Sequence, residues 1–191
     1  MTFKVRMFLI CLSLTLLSCK NEYSSPELEK HFTESQIEDL NKIKTFFIND
    51  IMNVDMDNFH KNFINEVEKM EASGSPYFSK KKIDSVLSSI SADTFNEIWE
   101  KRIDSTQLKN KIYDYLLPKY QGKYQIFLAD ISKKNKAVDH YYRRMINSGD
   151  FNRLSMLGYI KEYPKEFDLK NINIQILLAI QYISVLKETF N

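Results

Sequence analysis

The stretch whose spacing comes nearest to a ligand motif is DMDNFH, Asp55 to His60. Alternating Asp55 and Asp57 match the opening of a calcium loop. Such a loop also needs an oxygen ligand at its fifth position, a glycine at the sixth and a glutamate at the twelfth. The chain places Phe59, His60 and Glu66 there, so only the last position fits and the turn glycine is missing. Asp57 is therefore read as a helix cap. The three histidines, His31, His60 and His140, include no pair four residues apart, so no helical face carries two zinc-binding imidazoles. No serine lies in a G-x-S-x-G turn. The four glycines, Gly74, Gly122, Gly149 and Gly158, form no phosphate-cradling loop. Neighbouring carboxylates such as Glu66 and Glu68 read as solvated helix surface. These residues specify no catalytic site, metal or cofactor. A hydrolase with a site dispersed along the chain stands as the alternative to a binding protein.

The two cysteines are more informative. Lys4 and Arg6 precede an eleven-residue run, Met7 to Leu17, apolar apart from Ser13 and Thr15. Small Ser18 follows, then Cys19. This is the layout of a secretory signal, and the run is too short to cross a hydrocarbon core of roughly 30 Å. Leu16, Leu17, Ser18 and Cys19 resemble the lipobox of bacterial lipoproteins. The resemblance is confined to these first residues. It implies that the leader, residues 1–18, is removed and that Cys19 is joined to diacylglycerol and becomes the acylated N-terminus. Two or three acyl chains anchor durably, because each buried methylene contributes about 0.8 kcal/mol. The processed chain would keep no free thiol, which excludes disulfides, cysteine-ligated zinc and a cysteine nucleophile.

The formal charge of +2 is carried by Lys4 and Arg6, so the chain beyond the leader is near neutral. It is also bipolar. Residues 20–104 hold 17 acidic against 11 basic side chains, and residues 105–191 hold 8 against 14. Lysine supplies 22 of the 27 basic residues, whereas nucleic-acid readers favour the planar arginine fork. No nucleic-acid partner is expected.

The elements that must position any site are helical throughout. Residues 19–32 read as the acylated cysteine and a polar tether, with Ser25 and Pro26 able to start a short turn. A single domain over 33–191 follows. Thr33 and Gln36 have capping-box spacing, and Phe32 and Ile37 can form a hydrophobic staple. Ile37, Leu40, Ile43, Phe47 and Ile51 then predict a helix over 34–52. Phe59, Phe63, Val67 and Met70 predict a second over 57–71, ended by the SGSP loop at 73–76. Ile83, Val86, Leu87 and Ile90 form one shorter stripe. Phe95, Ile98 and Trp99 form another, capped by Ser91. Leu108, Ile112 and Leu116 form a third, opened by Ser105 and stopped at Pro118, which suits the first turn of the next helix.

Tyr120, Tyr124, Phe127, Ile131, Val138, Tyr141 and Met145 make a heptad seam, predicting one helix over 118–147 about 45 Å long. Asn147 to Asp150 stops it, and Phe151, Leu154, Leu157 and Ile160 start the next. The segment 172–186, apolar on nearly every side, predicts a central buried helix. The expected fold is an all-α bundle of six to eight helices.

Nine of eleven tyrosines follow residue 112. Within DHYYRRM, Tyr142, Arg143 and Arg144 fall off the seam and have the composition of an interface hot spot. They are the expected partner-binding residues. The combined expectation is a protein anchored in the bacterial envelope through Cys19, in the outer membrane and facing periplasm or exterior. Its domain would bind another protein, as an assembly accessory or a toxin-neutralising immunity protein.

Overall fold

A computed structural model describes residues 23–73, 80–106, 111–148, 160, 163 and 165–189. The leader, Cys19 and the helix expected from Phe151 lie outside this set, apart from Ile160, which is buried. The described chain is a mostly helical compact fold. Its elements are α1 (Pro26–His31), α2 (Glu34–Phe46), α3 (Phe59–Ser73), α4 (Lys80–Ser89) and α5 (Ala92–Ile98). A hairpin of β1 (Trp99–Thr106) and β2 (Lys111–Pro118) follows, then α6 (Lys123–Ser132), α7 (Lys136–Ser148) and α8 (Ile172–Thr189).

The α2 helix starts as its sequence dictates. The Thr33 hydroxyl accepts from Gln36 N, and the Gln36 side chain accepts from Thr33 N, which satisfies two orphan donors. Its last turn widens into a π-helix over Phe47–Ile51. Asn53 then adopts a left-handed φ of 54°, a conformation that asparagine tolerates better than bulkier residues. Asp55, rather than Asp57, caps the following 3₁₀ turn, its carboxylate accepting from Asn58 N at 2.8 Å. The start of DMDNFH is thus a cap, placed two residues earlier than expected.

Three sequence expectations are corrected. The polar tether is shorter than 19–32, because α1 is part of the body: Leu28 is fully buried and Phe32 is 5% exposed. Residues 105–106 and 111–118 are not helical. They belong to an antiparallel hairpin whose register runs from Trp99 opposite Pro118 to Thr106 opposite Lys111. Ile112 and Leu116 are four apart, which is one helical turn and also two strand periods, so their spacing suits either element. Ser105 lies within β1, and Pro118 ends β2 instead of opening a helix. Leu108 is outside the described residues.

The third correction concerns the seam. The 118–147 segment is two helices, broken at Lys133–Asn135. There the N–H groups of Lys133, Lys134 and Asn135 bond three residues back, tightening the last turn of α6. The Asn135 side chain then accepts from Ala137 N and Val138 N and starts α7 afresh. The seam stays in phase across the break, so Tyr124, Phe127, Ile131, Val138, Tyr141 and Met145 are all buried, while Tyr120 is exposed.

The α8 helix is the central element, with Ile174, Ile176, Leu177, Leu178, Ala179, Ile180 and Ile183 buried. Helix α2 and strand β2 lie against it. Several of its buried polar groups are paired. The Ser184 hydroxyl donates to Ile180 O at 2.6 Å and accepts from Trp99 Nε1 at 2.7 Å. Gln181 Oε1 accepts from the Tyr141 hydroxyl at 2.6 Å. These bonds fix the hairpin and α7 on α8, because breaking one strands a donor or acceptor in the core. No helix among the described residues is long and apolar enough to cross a membrane.

Candidate functional site

The titratable groups inside the fold act as structural fasteners. Asp39 on α2 is 4% exposed. It accepts from Lys42 Nζ at 2.8 Å, from Ser91 N at 2.9 Å and from the Thr94 hydroxyl at 2.8 Å. Burial pushes its carboxyl up, but these donors outweigh burial and hold it at about 2. The charge faces the first turn of α5, where an anion is favoured by unpaired N–H groups. Asp130 on α6 gathers Lys30, Lys133 and His31. Those partners, Lys30 foremost, keep its carboxyl well below the usual range. Burial pushes the Tyr124 and Tyr141 phenols up, so both stay neutral at ordinary pH. Proton transfer near neutrality suits none of these carboxyls and phenols. Among the described residues no cluster of three or more His, Cys, Asp or Glu could hold a metal ion.

Two surfaces among the described residues offer exposed side chains for contact with another molecule: an outer helix face and an open groove. The first is the outer face of α7. The helix buries Ala137, Val138, Tyr141 and Met145, which fixes its rotation. His140, Arg143, Ile146 and Asn147 are exposed. The Arg143 side chain is 69% exposed and donates from Nε to Asp139 Oδ2 at 2.8 Å, one turn back. Of the three residues expected to bind a partner, Arg143 alone lies fully on this face. Tyr142 is half-buried and packs against the core, and Arg144 is half-buried on the other flank. Ile146 adds an exposed apolar group that the sequence pattern does not single out. Its only signal there is its place one residue past the seam position Met145.

The second surface is an open groove of about 920 Å³ between α2 and α4. Phe46 and Val86 form its apolar floor, and Lys42, Asp50 and Lys82 stand on its rim. Lys82 and Asp50 face each other at 3.8 Å, linking the two helices at the surface. Tyr23 lines one end. Its carbonyl accepts from Asn41 Nδ2 at 2.7 Å, and the Lys44 ammonium sits 5.6 Å from its ring centroid. Such a contact is favourable when the cation is partly desolvated, as the buried Lys44 is.

No protein-family model, curated protein or solved structure matches this chain.

Proposed function

We propose that this chain is a lipid-anchored cell-envelope protein whose helical domain binds another protein through the outer face of α7. The role is that of an assembly accessory or a toxin-neutralising immunity protein. The anchoring part rests on the Leu-Leu-Ser-Cys sequence ending at Cys19. The binding part rests on one observation: the seam that holds α7 is buried, while Arg143 and Ile146 project from the same helix into solvent. An arginine beside an apolar side chain on a rigid helix has the make-up of an interface centre, where a few residues supply most of the binding energy. Rigidity matters because little side-chain and backbone ordering is then required on association.

The test replaces Arg143→Glu together with Ile146→Ser. Both side chains are exposed, so folding stability should change by no more than about 0.5 kcal/mol each. Loss of a hot spot costs roughly 2 kcal/mol or more, which is over tenfold in affinity. Photocrosslinking from position 147 in intact envelopes, followed by mass spectrometry, reads the partner directly. A crosslinked protein that disappears in the double variant, with an unchanged melting temperature, supports the reading. Equal crosslinking in both would refute it. The anchor is tested separately: Cys19→Ser should abolish incorporation of a tagged fatty acid and release the chain from the membrane fraction.

A further inference from the structure

We infer that the α2–α4 groove is the face this domain turns toward the bilayer, and that its occupant is the phospholipid surface. The inference rests on the reading of Cys19 as the lipid attachment point and goes beyond it, because anchoring alone sets no orientation.

Reach sets the orientation. Only Lys20, Asn21 and Glu22 separate Cys19 from Tyr23. Tyr23 is already fixed on the body through Asn41 and Lys44, both on α2. Four residue steps span at most about 14 Å when fully extended. A domain of this length is about 40 Å across, taking its radius of gyration as roughly 15 Å. An acyl group at Cys19 therefore holds Tyr23, and with it the end of the groove that Tyr23 lines, within about a third of a molecular diameter of the headgroups. A tether extending to residue 32 would have let any face approach. The body begins too early for that freedom.

The chemistry of the groove fits the location. Tyr23 is 61% exposed, and a half-wet tyrosine is the residue type favoured at the headgroup level. Phe46 and Val86 offer apolar floor, while Lys42 and Lys82 on the rim have long stems that lie along apolar surface with the ammonium toward phosphate. Acidic partners offset both of these lysines: Lys42 pairs with Asp39 and Lys82 with Asp50. The lipid anchor therefore supplies the affinity and the groove supplies the orientation, in line with the two-signal pattern of membrane attachment. Helix α7 packs mainly on α6, so its outer face is left for a protein partner.

The experiment uses the full lipidated chain, extracted from membranes and reconstituted in phosphatidylethanolamine–phosphatidylglycerol vesicles doped with a nickel-chelating lipid. A spin label is placed at Ser85→Cys in the groove or at Asn147→Cys on α7. With Cys11 removed and Cys19 acylated, the introduced thiol is the sole labelling site. Collisional relaxation by the nickel lipid should be several-fold greater at 85 than at 147. Inserting ten Gly-Ser residues after Lys20 should remove most of that contrast. Equal relaxation at the two sites, or a contrast that survives the insertion, overturns the inference. Flotation and the mass of the N-terminal peptide separate the two readings. An unacylated chain overturns both, whereas an acylated, floating chain without contrast overturns the orientation alone. A label at 85 that is immobilised in native envelopes but untouched by nickel lipid assigns the groove to a protein, and also overturns it.

Discussion

Replacing Asp39→Asn removes one charge from the interior and keeps the side-chain volume. In the folded chain this carboxylate takes three hydrogen bonds, one from Lys42 within α2 and two, from Ser91 N and the Thr94 hydroxyl, that join α2 to the first turn of α5. Its pKa stands at about 2 against an ordinary value of 3.8. Lowering a pKa by one on folding corresponds to about 1.4 kcal/mol, so the depressed value contributes about 2 kcal/mol at neutral pH. The sign is that of a depressed acid. The contribution is fully present above the unfolded value near 4 and is lost as pH falls through the folded value near 2. The native chain should therefore exceed the Asp39→Asn variant by about 2 kcal/mol at pH 7. That corresponds to a melting temperature roughly 4–8 °C higher for a domain of this size.

Urea unfolding followed by circular dichroism, repeated from pH 7 down to pH 2, measures the difference directly. The gap should close between pH 4 and pH 2, because the native side chain then also becomes neutral. A gap that stays constant over that range would refute the electrostatic argument. It would mean that the side chain acts through neutral hydrogen-bond geometry alone. Asp39→Ala should cost more than Asp39→Asn at every pH, since it leaves Ser91 N–H and the Thr94 hydroxyl without their acceptor.

Gly122→Ala should destabilise by about 1–3 kcal/mol in thermal melts, because the added Cβ would sit 2.5 Å from Glu97 O and 3.1 Å from the Lys119 Cβ. Asn135→Ala should cost about 1 kcal/mol in urea melts by removing the α7 cap, with helical signal retained. A chain beginning at Thr33 should lose most of its cooperative melting transition, since it lacks Leu28 and Phe32. Large-to-small changes at such buried sites cost about 2–5 kcal/mol each. A sharp melt at an unchanged temperature would return residues 23–32 to the status of a tether.

What is legible in the sequence follows from how unambiguous each signal is. The Thr33–Gln36 capping box is a local signal with one structural solution, and it forms as the spacing predicts. The apolar run at 172–186 has no competing periodicity, and it becomes the buried helix α8. The hairpin is hidden because a four-residue spacing is shared by helices and strands, and no glycine or proline marks the residues between 106 and 111. The split at Asn135 is hidden for a different reason. A seam that stays in phase conceals a break, and only the capping preference of asparagine signals it. At the candidate site, the periodicity correctly turns Arg143 outward, and it places Tyr142 too far from the core. A position 100° past the seam still lies at the edge of a buried face that is itself at least 100° wide.

The start of the body bears on how an anchor at Cys19 would act on the domain. Helix α1 is held in two ways. Leu28 and Phe32 enter the core, with the Phe32 ring 5.8 Å edge-on from Phe127 on α6. Polar bonds then set its direction. Ser25 caps α1 and donates to Asn173 on α8 at 2.6 Å. Glu27 pairs with Lys134 at 2.6 Å, just beyond α6, and Lys30 and His31 reach Asp130 within α6. Exposed ion pairs of this kind add little stability singly, so the apolar pair does most of the holding. Their effect is orientational: they fix one short helix against α6, α8 and the turn that opens α7. A lipid at Cys19 would thus be joined through Tyr23 and α1 to the elements that carry Arg143 and Ile146, with three residues between Cys19 and Tyr23. On a loose tether, the α7 face would sample every direction. With α1 fastened as it is, attachment to a bilayer through Cys19 would make anchoring and the presentation of that face one geometric constraint.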